Sequence, residues 1–329
     1  DHAFSFAWKQ EKIRNIASYI LNVHVDSIYY VNFADCSPVA GRCNAREYLF
    51  GKRTDNRALM EFAASDYQNS EDPLTLDEHN LFYRLQTVFS HEEMMESDRN
   101  PVIAHKDLYY ESVGLFIARG SRLCLAVKGG DNDDSHNHND VGSFTIYKDG
   151  KPLFIDAGVE TYTKKTFSPD RYDIWTMQSR YHNLPSFTDH GRETVQQDGG
   201  RYRAEDVRYE LGEDVCRISM DIAKAYPDDR IRSYTRSAVL DKEKSITIRD
   251  HYEGDGGTAV LSLMFCEKPS IHQNTIRIGD LGICTVEGAS SITSEEIPVT
   301  DERLKTAWKH SLYRCLVTME ARDLTLTIA

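Results

Sequence analysis

Two imidazoles and two carboxylates crowd one stretch of the chain. His136-Asn137-His138-Asn139-Asp140 runs into an apolar strand, a tight turn and a second strand ending at Asp156, and His182-Asn183 follows in Ser179-Arg180-Tyr181-His182-Asn183. Neutral histidine and carboxylate are the usual protein ligands of borderline divalent metals, so metal-assisted chemistry is the first reading. An ionised Asp within Phe154-Ile155-Asp156-Ala157 is costly in so apolar a strand unless it is a metal ligand or caps a turn at Gly158. His136 and His138, two apart, face the same side if extended, and spacing alone leaves them either ligands or members of a self-bonded Asn-rich loop. His182 is a third ligand or a polar residue at a strand end. Beside it Asn183 offers an amide to a neighbouring group, Arg180 an anion donor and Tyr181 a phenol. Asp131, Asp133 and Asp134 read as a solvated acidic loop, because the EF-hand pattern of calcium ligands is missing.

The elements that must hold these groups change period along the chain. Ile13, Ile16, Ala17, Ile20 and Leu21 share a helical face, as do Leu81, Leu85, Val88 and Phe89 after a capping box at Thr75 and Glu78. A shorter helical segment holds Leu59, Met60, Phe62 and Ala63. So few helices cannot readily close a core, and their apolar faces call for upstream helices or a partner surface. From about Leu108 the period becomes two, with strands expected over 201–209, 215–225, 230–240, 245–252 and 258–265. Asp149-Gly150 is a two-residue hairpin turn, which sets Asp156 opposite Ser143. His138 then lies roughly 16 Å from Ser143 if extended, so sharing a metal with Asp156 requires the loop to fold back. The expected fold class is α+β: a helical domain over 1–106 and a large antiparallel β-sandwich over 107–329.

Composition excludes several classes. The chain has 329 residues, 40% hydrophobic, with a formal charge of −13, which argues against general nucleic-acid binding because that needs a basic face. No run approaches the roughly 18 apolar residues that span a bilayer, and the amino terminus lacks a basic-then-apolar secretory signature. Seven scattered cysteines without C-x-x-C spacing read as buried thiols, with Cys36 and Cys43 the one pair near enough for a local bridge. Lys128, Lys164, Lys165, Arg171 and Arg180 fall around the histidine cluster and could form a local basic cleft for an anionic substrate.

At these residues the chain resembles the heparinase II/III-like family of polysaccharide lyases. The carrying motifs are His136-Asn137-His138-Asn139-Asp140-Val141-Gly142-Ser143-Phe144, then Ile155-Asp156-Ala157-Gly158, then His182-Asn183, in the family's order. The resemblance implies the end of an incomplete α/α toroid followed by a two-sheet sandwich. It implies that His138, Asp156 and His182 hold a divalent metal, zinc, while His136 faces substrate. It implies β-elimination on an acidic, uronate-containing polysaccharide of the heparan sulphate or alginate kind, in a periplasmic or secreted bacterial enzyme. In relatives the catalytic tyrosine and an Asn or Glu that neutralises the carboxylate come from helices well upstream. With 135 residues before His136 the toroid is short, so those groups are not assigned by matching. Tyr181, Arg180 and Tyr172 are the local catalytic candidates, and Tyr29 and Tyr30 resemble a late toroid loop or simply pack there. Two other readings stand beside the lyase: a non-catalytic carbohydrate-binding fragment, and a non-haem iron oxygenase using His138-x-Asp140 with a distant histidine.

Overall fold

A computed structural model describes residues 6–75 and 80–329. The chain divides into two compact units, 1–24 with 40–106, and 25–39 with 107–329. Residues 25–39, which the sequence groups with the helices, therefore belong to the β unit.

The first unit holds α1 (Glu11–Val23), α2 (Ala45–Thr54), α3 (Arg57–Gln68) and α4 (Leu81–Met95). Asn44 starts α2 with a reciprocal box, its side chain accepting from the Arg46 amide while Glu47 accepts from the Asn44 amide. The box expected at Thr75 and Glu78 lies outside the described residues, and α4 is capped by Asn80, whose side chain accepts from the Phe82 amide. The apolar stripe of α4 faces outward: Leu81, Leu85, Val88 and Phe89 are exposed, and Thr87, Ser90 and Met94 are buried instead. Ile16 of α1 is exposed too, while Ala17 and Leu21 are buried. Among the described residues no helix is long and apolar enough to cross a membrane.

The second unit is antiparallel throughout. An eight-stranded sheet runs in the order Glu205–Leu211, Val215–Asp221, Ile231–Asp241, Ser245–Gly254, Asp323–Ile328, Gly282–Glu287, Thr275–Ile278, Pro269–His272. One five-stranded sheet is Leu108–Tyr110, Leu115–Arg119, Leu123–Lys128, Phe144–Lys148, Lys151–Phe154; the other is Arg192–Thr194, Pro185–Asp189, Thr258–Phe265, Leu312–Met319, Ala289–Ile297. Alternation supplies the core: Cys216, Ile218 and Met220 on one strand, and Ile246 and Ile248 on another, meet Phe144, Phe154, Phe187 and Leu261 in a single apolar cluster. This is the α+β plan of a helical segment followed by stacked antiparallel sheets.

Local chemistry fixes the strands that carry the site. Asp149 and Gly150 both take positive φ, 49° and 75°, as a two-residue primed turn demands. The pairing then slips: Lys148 faces Lys151, but Ile146 faces Phe154, so a bulge shifts Asp156 by one residue from the register opposite Ser143. Past the strand end, the Ile155 amide donates to Met264 O and ties the two five-stranded sheets together. Ile155 and Ala157 pack with Met264, Leu304, Trp308 and Leu312, which leaves the intervening Asp156 facing the other side. All seven cysteines are free, so Cys36 and Cys43 form no bridge.

Candidate metal centre and its exposed rim

The loop that enters the Phe144–Lys148 strand is folded back, not extended. His136 sits at φ 61°, the left-handed region that a non-glycine residue occupies at a cost, and the Asn137 amide donates to Asp134 O. The fold-back separates the two histidines: His138 is buried, whereas the His136 side chain is 54% exposed. The same-side placement expected for an extended segment is thus replaced by one ring inside and one at the surface.

Inside, ligand atoms of His138, Asp156 and His182 all lie within 4.8 Å of one another, and all three residues are fully buried. Asp156 caps the turn at Gly158 and also faces the histidines. Its Oδ1 accepts from the Gly158 amide at 2.8 Å, and its Oδ2 meets His182 Nδ1 at 2.9 Å. Gly158 has φ +77° and sits so close to Cys36 O that a Cβ would fall 2.9 Å from it. Asn183 anchors the neighbouring ring, donating to Phe144 O and Ile155 O and accepting from the Met264 amide. His138 Nδ1 is buried with no hydrogen-bond partner, and His182 Nε2 is buried with only the Thr176 backbone near it. An orphaned imidazole nitrogen beside a carboxylate is costly in a dry interior, and the donor set suits a divalent ion such as zinc. The converging group contains Asp156 and not Asp140. Asp140 is buried nearby, accepts from the Ala34 amide, and has its pKa raised by burial in spite of Lys128 and His182.

Burial opposes charge on His182, but the Asp156 charge and hydrogen bond, with Asp140, outweigh it and raise the pKa above the usual 6.5. The sign of the pH dependence follows. In the metal-free protein this pair contributes stability that is complete below the unfolded-state value and is lost as pH rises through the raised folded value. A divalent ion held by these residues would have to displace the same proton, so its apparent affinity would rise with pH over that window. Thermal unfolding with zinc and with chelator is expected to diverge as pH rises; a zinc-induced shift independent of pH contradicts the assignment.

The rim is organised by Asp35, on the 25–39 segment. Its Oδ1 accepts from His138 Nε2 at 3.0 Å and Arg171 at 2.8 Å, and its Oδ2 from His136 Nδ1 and the Tyr162 hydroxyl, both at 2.9 Å. Burial alone would raise this carboxyl, but hydrogen bonds and charge from His138, His136 and Tyr162 hold it well below the usual carboxylate range. Asn32 positions the segment by donating to Cys36 O and Asp156 O. Tyr162 lies nearly parallel to His136, its hydroxyl 3.2 Å from Nδ1, and the Arg303 guanidinium sits 4.6 Å over its ring. Burial and Asp35 together raise the Tyr162 pKa, so the phenol keeps its proton.

The other residues singled out by sequence go elsewhere. Arg180 pairs with Glu193, and Tyr181 packs edge-on against Trp175 beneath Arg314. The phenol beside His136 is therefore that of Tyr162. Tyr172 accepts from the Asn137 amide group. Tyr30 is buried, and its carbonyl accepts from Tyr147, with Tyr29 against the same ring, so this pair packs the loop. The basic cleft does not form as one surface. Lys128 is buried on Asp134 and two carbonyls, Lys165 faces Asp173, and Arg171 and Arg180 have Asp35 and Glu193; Lys164 is exposed. Each of the four cations is matched by its own carboxylate within the fold.

Known proteins share the architecture of this chain. A family model described as "Heparinase II/III-like, C-terminal" matches residues 105–271, half of the chain. The crystal structure of heparan sulfate lyase HepC from Pedobacter heparinus matches with a TM-score of 0.64 at 14% identity, over 95% of this chain and 46% of that one. A mutant of that lyase gives 0.65 at 13% identity with the same coverage. A heparinase III gene product gives 0.54 at 15% identity, over 93% of this chain and 44% of its own. The chain thus spans about half the length of the solved structures it matches. No curated protein sequence matches it significantly.

Proposed function

The chain belongs to the heparinase II/III-like family through its C-terminal domain, and on that premise we propose that it serves a polysaccharide lyase that cleaves an acidic, uronate-containing polymer by β-elimination. The observation that carries the proposal is the exposed His136–Tyr162 pair, held by one buried carboxylate directly above three converging metal-type ligands. His138, Asp156 and His182 would hold a divalent ion, zinc being the one their donor set suits best. When bound, the ion supplies fixed positive charge beneath the loop and orders it.

The reaction removes the C5 proton next to the uronate carboxylate, moves that electron pair into a C4–C5 double bond, and expels the C4-linked oxygen, which takes up a proton. A carbon acid of this kind is very weak, so the charge developing on the carboxylate must be met by cations or donors. Arg303, stacked on Tyr162, stands at that rim and is suited to the carboxylate. His136 has Nδ1 engaged by Asp35, which leaves Nε2 to accept the C5 proton. Tyr162, kept protonated, is placed as the donor to the departing oxygen. The periplasmic or secreted location remains part of the same proposal, since a polymer of this kind is met outside the cytoplasm.

The test is ultraviolet-monitored release of unsaturated uronate from a panel that includes heparan sulphate, chondroitin sulphate and alginate. Product from one of these is expected, with His136→Ala slowing it by roughly 10²–10⁴-fold, the usual contribution of a general acid or base. Polymer binding without product from any of them favours the carbohydrate-binding reading instead.

A further inference from the structure

We propose that Asp35 is a positioning residue that sets two histidine tautomers of opposite kind, Nδ1–H at His136 and Nε2–H at His138, so that one lone pair faces the solvent rim and the other the buried ligand cluster. The inference rests on the metal reading of the same site. It starts from a count of donors and acceptors. An ionised carboxylate accepts only, and each Asp35 oxygen receives two donors: His136 Nδ1 and Tyr162 on Oδ2, His138 Nε2 and Arg171 on Oδ1. The nitrogens facing it must therefore carry the protons. In the neutral rings that leaves His138 Nδ1 as the lone pair, which is the buried nitrogen without a partner, and His136 Nε2 on the exposed side.

The carboxylate is built in, not incidental. Its side chain is only 5% exposed, its own amide donates to His136 O, and the neighbouring Ala34 amide donates to Asp140. Arg171 closes the arrangement by bonding Asp35 and the Asn137 carbonyl between the two histidines. A single side chain 101 residues upstream of His136 in sequence thus joins the buried cluster to the reactive rim. Carboxylates that orient metal-bound histidines in this way are worth 10–100-fold in metal affinity.

The experiment is nitrogen-15 NMR of the imidazoles in the zinc-loaded protein at mildly alkaline pH, with zinc affinity measured against a chromophoric chelator, for the wild type, Asp35→Asn and Tyr162→Phe. The wild type is expected to show opposite tautomers at positions 136 and 138; the same tautomer at both overturns the proposal without any variant. Asp35→Asn keeps the shape but turns one acceptor into a donor. It is expected to weaken zinc binding by about 10–100-fold and to change at least one tautomer; because it also leaves Arg171 without its carboxylate, its unfolding in chelator is followed alongside and affinities are compared where both proteins are folded. Tyr162→Phe removes one donor only and is expected to leave zinc affinity intact while lowering kcat. Zinc binding that Asp35→Asn leaves unchanged overturns the proposal. Failure of the wild type to bind zinc overturns the metal reading beneath it, and is a different result. Absence of lyase product touches neither the tautomers nor the affinity.

Discussion

Arg236→Met is expected to cost about 3–5 kcal/mol of stability, the largest single effect foreseen in the β unit. Arg236 is 1% exposed and lies amid the apolar core, over the face of Phe144. Its Nε and one terminal nitrogen meet both oxygens of Asp250 at 2.8 and 2.6 Å, and its other terminal nitrogen donates to Gly142 O and Asn183 O. Tyr234 donates to the same carboxylate at 2.7 Å. Removing the cation strands a buried charge and two carbonyls, whereas replacing both charged partners by apolar groups avoids the stranded charge. The double variant Arg236→Met with Asp250→Leu should therefore be more stable than the single one. The consequence reaches function, because Gly142 follows the His-x-His loop and Asn183 follows His182. Urea denaturation decides the matter: a single-variant loss below about 1 kcal/mol would show that the interior tolerates an unpaired Asp250 and that the pair does not hold the two site segments together.

The second large effect is loss of metal. If the proposed site holds zinc, His182→Ala or Asp156→Ala should weaken its binding by more than about 100-fold, since each would delete a ligand and not merely its support. Zinc at about 100 times its Kd should stabilise the wild type by about 2.7 kcal/mol against unfolding and do almost nothing for these variants. Asp140→Ala supplies the contrast. If the facial triad of an iron oxygenase were present, Asp140→Ala would lose more metal than Asp156→Ala; the converging group predicts the reverse order.

Much of this was legible in the residues. The change of period near Leu108, the Asp149-Gly150 turn and the strand at Thr258–Phe265 follow from alternation and turn chemistry, which are local. Asp156 stands out as a costly residue in an apolar strand, whereas spacing left His138 and His182 open and only the family resemblance grouped the three. What stayed hidden is non-local. Asp35 looks like an ordinary loop residue until 25–39 folds into the β unit, and a pairing across 101 positions leaves no periodicity to read. Tyr162 has no feature that separates it from Tyr172 or Tyr181 before the rings are placed. The bulge that moves Asp156 is one residue in a short hairpin, and strand patterning does not mark it. Charge counting suggested a basic cleft because it could not see that Lys128, Arg171 and Arg180 each have a carboxylate of their own. On α4 the periodicity is real, but periodicity does not say that the stripe is covered.

The central claim is that a buried ion sits among His138, Asp156 and His182, beneath the rim formed by Asp35, His136 and Tyr162. Anomalous scattering at the zinc edge, from crystals of the full protein grown with zinc, tests it most directly. The account predicts one strong peak bounded by His138 Nδ1, His182 Nε2 and an Asp156 oxygen. A peak at Asp131, Asp133 and Asp134 instead, or none between the two rings, would contradict it.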